Sequence, residues 1–322
     1  MFFPEILCRD LPVNSTERKR YVTKRKIIYS FAAFATVMLI GLSLVYAGEC
    51  ADAAREGLAL SARAIVPALF AFFVFSRLLS NLPLPRHIYK ILPIHRLLGL
   101  PDVAAPVVLC GLIGGFPVGA ALTCGLYKDG SITRGEAARL CAAASNVSPA
   151  FLIGVVGGRF SSIGFGIMLW IVQSAAAVGI GVIMRPFTND GHRLAATSAK
   201  GCKTSLIGIF CDAVTSSAQA CLAVTGYIVF FRVIAAILCQ MIPELYGAFV
   251  LIFEFSGGVD YAAAVGSRVA CGFAVGFGGL SALMQITNYT EKTGVPVVPT
   301  VIMKLCTAVI LAFAAWAFGI VA

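Results

Sequence analysis

The residues able to do chemistry here are the polar ones set inside apolar runs, because burying them in a membrane is costly unless they are paired or wetted. Glu254 leads them: it follows the run Ala248–Phe253 and precedes Ser256-Gly257-Gly258. Two roles fit it. At an interface it marks a helix end; inside a cavity it carries a proton or pairs with a coupling cation. Asn146 and Ser148 stand with the helix-breaking Pro149 in mid-span, which points to a site rather than a packing kink. Gln285 and Asn288 lie on a glycine-rich segment, and Asp212 and Arg63 are weaker candidates. Arg77 and Arg232, near span ends, fit snorkelling to headgroups better than anion binding. The expected site is the convergence of Asn146, Ser148, Glu254, Ser256 and Gln285. Backbone N–H groups around Gly114, Gly115, Phe116, Pro117 and Gly119, with Gly278 and Gly279 opposite, complete it. Uncapped helix ends at the midplane carry partial positive charge, which suits a carboxylate.

The elements that must position these residues are membrane segments. Of 322 residues, 59% are hydrophobic and 12% charged, with mean hydropathy +0.91, which makes the chain an all-α polytopic membrane protein. The net charge of +10 comes from basic residues between apolar segments, so it reads as topology and not nucleic-acid binding. The eleven cysteines form no CxxC or Cys/His cluster, and His87, His95 and His192 form no metal set. No metal or cofactor is expected. A nucleotide loop GxxxxGK(S/T), HExxH and GxSxG are all missing from the sequence, which argues against ATP-driven or hydrolytic chemistry and against an enzyme.

In order, the chain reads as a basic cytoplasmic tail 1–26 and a membrane anchor 27–48. Repeat 1 (49–157) follows with a re-entrant hairpin 106–127, then a connecting helix and basic linker 158–204. Repeat 2 (205–322) carries a hairpin at 266–290. With six full spans and two hairpins, seventeen basic residues are cytoplasmic and four outside, the bias expected of a positive-inside protein. Both termini and the 185–204 linker are then cytoplasmic. Gly114–Ala120 aligns with Gly278–Met284, and three further weak matches keep the same order. The spans before the two hairpins run oppositely, so the halves form an inverted repeat, a transporter architecture.

These residues resemble the YlbJ-type sporulation integral membrane proteins, of the nucleoside-recognition ("gate") domain group. The resemblance rests on GGFPVGA (114–120), LYKDGSITRGEA (126–137), SNVSPAFLIGVVG (145–157), FEFSGG (253–258) and FGGLSALMQ (277–285), and covers roughly residues 50–322. It implies paired hairpins, two inverted repeats and a role in endospore formation, with dipicolinic acid as the solute moved. Where the family often has a lysine after the first hairpin's Gly-Ala pair, this chain has Ala121, and where the family has Asn-Asn it has Ser145-Asn146.

The leading functional expectation is a transporter or facilitator for a small anionic solute in the cell membrane, coupled to a proton or cation. A non-transporting scaffold or gate subunit for sporulation and a nucleoside transporter are the alternatives. The lipid bilayer is the obligatory partner, and a homo-oligomer is compatible with the sequence.

Overall fold

The computed structural model describes residues 15–81, 94–188, 191 and 205–321. Most of the basic tail and of the linkers 83–102 and 185–204 lies outside the described residues. The described residues are helical without a strand, and residues 1–50 and 51–322 are separate compact units. In the first unit α1 (Ser15–Val45) holds a stretch, Lys26–Val45, long and apolar enough to cross a membrane.

The second unit is built from two runs of four devices. The first run opens with α2 (Ala47–Leu60), a wide π turn at Ser61–Ile65, and α3 (Val66–Asn81). Pro67 removes a backbone donor here, and the two arms meet at a 53° bend. Next come α4 (Ala105–Gly114) and α5 (Phe116–Lys128), separated by Gly115 at φ 94°. Gly111 and Gly119 would stand about 12 Å apart along a straight helix. Instead both press on Ala144, so tightly that neither has room for a side chain. The chain therefore turns back at Gly115.

An interrupted span follows: α6 (Arg134–Ala144), an open stretch through Pro149, then α7 (the wide turn Phe151–Val156 continued by Gly157–Arg159). A capping box between Thr133 and Glu136 starts α6. Antiparallel to the whole of it runs α8 (Ile163–Ile183): Gly181 faces Ala143, Gln173 bonds Val147, and Gly166 touches the Leu152 backbone.

The second run repeats the sequence of devices. α9 (Leu206–Met241) is a long span, and α10 (Tyr246–Phe253) and α11 (Phe255–Ala264) reverse at Glu254. Their antiparallel pairing is visible in contacts of Gly247 with Tyr261, Val250 with Gly257 and Leu251 with Gly258. An interrupted span, α12 (Arg268–Phe277) and α13 (Gly279–Thr290), breaks at Gly278 and Gly279, both with positive φ. α14 (Val298–Val321) returns beside α12, Leu311 against Gly272 and Ala308 against Gly276.

This order corrects two expectations. Within 266–290, Arg268–Thr290 continues as one interrupted stretch of 23 residues, long and apolar enough to cross a membrane, and does not fold back as a hairpin; the second hairpin is the α10–α11 pair, with Glu254 at its tip. Consequently the glycines at 278–279 correspond to the Ser145–Pro149 break, whereas Gly115 corresponds to Glu254. The helix 163–183 is the closing span of the first run, not a connector, and matches α14.

The two ends of the helices define two faces. One face gathers the starts of α6 and α14, since Arg134 Nε donates to Gly294 O at 3.1 Å. The end of α8 lies there too, through Arg185 to Leu97 O and Arg139 to Gly99 O and Thr188. The opposite face holds the turn 265–267 and the end of α14, where Arg268 lies 5.6 Å from the Phe318 ring. The end of α14 thus lies on the face opposite Gly294 and Arg185.

A labelling experiment separates the two topologies. In a background freed of native thiols, Val265→Cys and Lys292→Cys should be modified from opposite sides of the membrane. Modification of both from one side would restore the hairpin at 266–290.

Candidate functional site

Two hairpin tips and two span breaks meet in the interior. Phe116, at the first tip, packs edge-on to Phe255 of the second with centroids 5.4 Å apart. Phe151, just past the first break, lies 5.0 Å from Phe255. At the second break Gly278 backs onto Phe116, and a Cβ at Gly279 would lie 3.0 Å from the Phe255 nitrogen. These glycines let helix ends approach closely, and with φ of 79° and 72° they tolerate little else.

Each cut helix end exposes backbone groups that lipid cannot satisfy. At the second tip Glu254 answers: its carboxylate accepts from Ser256 N at 3.0 Å, Gly257 N at 2.8 Å and the Ser256 hydroxyl. Arg232 Nε donates to the same carboxylate at 3.2 Å, and its Nη groups reach Asp260 and Glu56 at 3.4 Å. Arg159 closes the network on Asp260 at 3.0 Å. At the first break Gln173 does the corresponding work, its amide bonding both N and O of Val147 at 3.3 and 3.0 Å. Ser148 Oγ accepts from Phe151 N. The N-terminus of α5 at the first tip has no side-chain cap.

An apolar cavity opens beside that end, lined by Gly115, Phe116, Ser148, Phe151, Phe255 and Gln285. A second, charged cavity is lined by Glu56, Arg232, Glu254 and Asp260 with Tyr246 and Tyr261. Among the described residues no His/Cys/Asp/Glu group could hold a metal ion.

No family model and no solved structure matches the chain. The sporulation integral membrane protein YlbJ of Bacillus subtilis (strain 168) is 26% identical over 332 residues, covering 88% of this chain and 80% of that protein. The chain is thus similar to this sporulation protein over most of its length.

In this chain the expected site splits in two. Gly115, Phe116, Pro117, Ser148 and Gln285 do share one cavity. Glu254 and Ser256 face Arg232 instead, and Glu254 lines the charged cavity. Gly114 packs on Phe72, and Gly119 on Ala144. Asn146 is buried, donates to Ala143 O at 2.7 Å and leaves its Oδ1 without a partner. Glu254 is buried within the tip, so it is not an interfacial marker. Arg232 does not snorkel: it turns inward onto three carboxylates, its side chain 11% exposed.

Two residues escaped the sequence reading. Gln173 carried a signal, a lone amide in the middle of a 21-residue apolar helix. Lys304 was counted only as a charge within a span, yet it is 1% exposed and lies 4.5 Å from the Phe116 ring centroid.

Because Glu254 both caps α11 and holds Arg232, Glu254→Ala should lower unfolding stability in detergent by about 3 kcal/mol, as for a broken buried ion pair. Glu254→Gln, which keeps an acceptor for Gly257 N, should cost less. A double-mutant cycle with Arg232→Gln should show about 1–3 kcal/mol of coupling; additive losses would mean that the two groups act separately.

Proposed function

We propose that this membrane protein carries or facilitates passage of a small anionic solute, and that the apolar cavity at the two tips is where the solute rests. One observation supports this above others: the first hairpin tip, the first span break, Phe255 of the second tip and Gln285 of the second interrupted span all line one cavity. A scaffold has no need of four cut helices, each requiring a buried glycine, amide or carboxylate to satisfy it. Inverted repeats with broken helices at mid-membrane are the architecture of alternating-access carriers.

Anion preference follows from the N-terminus of α5, which has no side-chain cap and whose Phe116 N–H and partial positive charge border the cavity. The aromatic walls at Phe116, Phe151 and Phe255 favour a flat ring, so an aromatic carboxylate fits both features. Likeness to YlbJ, a sporulation protein by name, adds endospore formation as the setting, and the family resemblance of the sequence makes dipicolinate the first solute to test. The excess of basic residues on the face with Arg134, Arg185 and Lys292 makes that face cytoplasmic. A proton or cation gradient is the natural driving force for such a carrier.

Uptake into proteoliposomes tests the reading, with dipicolinate and nucleosides side by side and with or without a pH gradient. Saturable dipicolinate uptake is expected. Gly279→Ala, which inserts a Cβ against the Phe255 backbone at a positive φ, should insert in the membrane yet lose at least about 90% of uptake. Nucleoside uptake alone would favour a nucleoside carrier, and no uptake of either would favour the scaffold.

A further inference from the structure

Lys304 is a cation the fold does not explain. It lies six residues into α14 from Val298, about 9 Å along the helix axis. From there a lysine could snorkel toward the cytoplasmic face. Instead it is 1% exposed, and its Nζ has no hydrogen-bond partner. Among the described residues no carboxylate pairs with it, and the polar group nearest in effect is the Cys141 thiol.

What the ammonium does meet is the Phe116 ring, 4.5 Å to the centroid. A desolvated cation–π contact is worth about 2 kcal/mol. Removing an ammonium from water costs several kcal/mol more than that unless an anion compensates it. The arrangement is therefore incomplete as a structural device.

Phe116 is also the residue best placed to move. It opens the uncapped α5 helix, lines the cavity, touches Phe255 of the second hairpin and backs onto Gly278 of the second break. Lys304 lies over that ring and does not itself line the cavity, which Phe116 does. We propose that Lys304 selects the solute: Phe116 covers its ammonium when the cavity is empty, and a bound carboxylate displaces the ring and takes the ammonium as its partner. The positive end of α5, with the Phe116 N–H, then faces the same anion from the hairpin side. The inference rests on the anionic-solute reading above.

The test uses purified full-length protein, with pyridine-2,6-dicarboxylate and its neutral diamide as probes, by thermal shift and by uptake. Lys304→Met should melt at or above the wild-type temperature without solute, because an unpaired buried charge has gone. It should lose the dicarboxylate-induced shift, raise the dicarboxylate KM by about tenfold or more, and handle the diamide as wild type does. Lys304→Arg should keep part of the shift. A Lys304→Met protein that melts lower than wild type and keeps its dicarboxylate shift would overturn the proposal, leaving Lys304 as a packing contact for Phe116. A wild-type protein that responds to the diamide or to nucleosides but not to the dicarboxylate would instead overturn the anionic-solute reading itself.

Discussion

The constraint that shapes this molecule is the demand of hydrocarbon that every backbone N–H and C=O find a partner. Continuous helices meet it at no cost, yet the second unit cuts four of its membrane segments near their middle. Each cut is then repaired differently. Glu254 caps one hairpin arm with its own carboxylate, Gln173 on a neighbouring span serves the Val147 backbone, and Ser148 serves Phe151. Glycines at 278 and 279 let the remaining break pack directly on the hairpin tips. The one cut end without a side-chain repair at the first tip, that of α5, is the one that opens on the apolar cavity.

The charged groups follow the same logic. Glu254 could not sit 1% exposed inside a membrane without a partner, and Arg232 from the preceding long span provides it. Arg232 in turn draws in Asp260 and Glu56, while Arg159 holds Asp260 from the first run. The network therefore ties elements of both runs together next to the second tip. Any movement of that tip, as alternating access requires, has to rearrange these pairs. Lys304 lacks such compensation, which sets it apart from every other charge discussed here.

Much of this was legible in the sequence. Hydropathy gave the polytopic class, and the distribution of basic residues distinguished a hairpin at 106–127 from a crossing helix. Ser148, Gln285 and the Gly115–Pro117 stretch, expected at one site, line one cavity. The second hairpin was misplaced for a physical reason: glycine pairs serve both a chain reversal and a mid-span break, and composition does not tell them apart. Matching Gly114-Gly115 to Gly278-Gly279 therefore joined a tip to a break. What distinguishes the true second tip is a carboxylate cap, and its need for Arg232 appears only when residues 22 positions apart are brought together. The roles of Gln173 and Lys304 were hidden likewise, since a single polar residue in an apolar helix does not reveal what it faces.

The central claim is that the tips and breaks enclose one solute site, and solute protection of a single thiol tests it most directly. Ser148→Cys borders the apolar cavity, and Asp260→Cys lies in the charged one. In a background freed of native thiols, pyridine-2,6-dicarboxylate should slow alkylation at position 148 saturably and leave position 260 unchanged. Equal alkylation at 148 with and without the dicarboxylate, in protein that reacts readily there, would contradict the account.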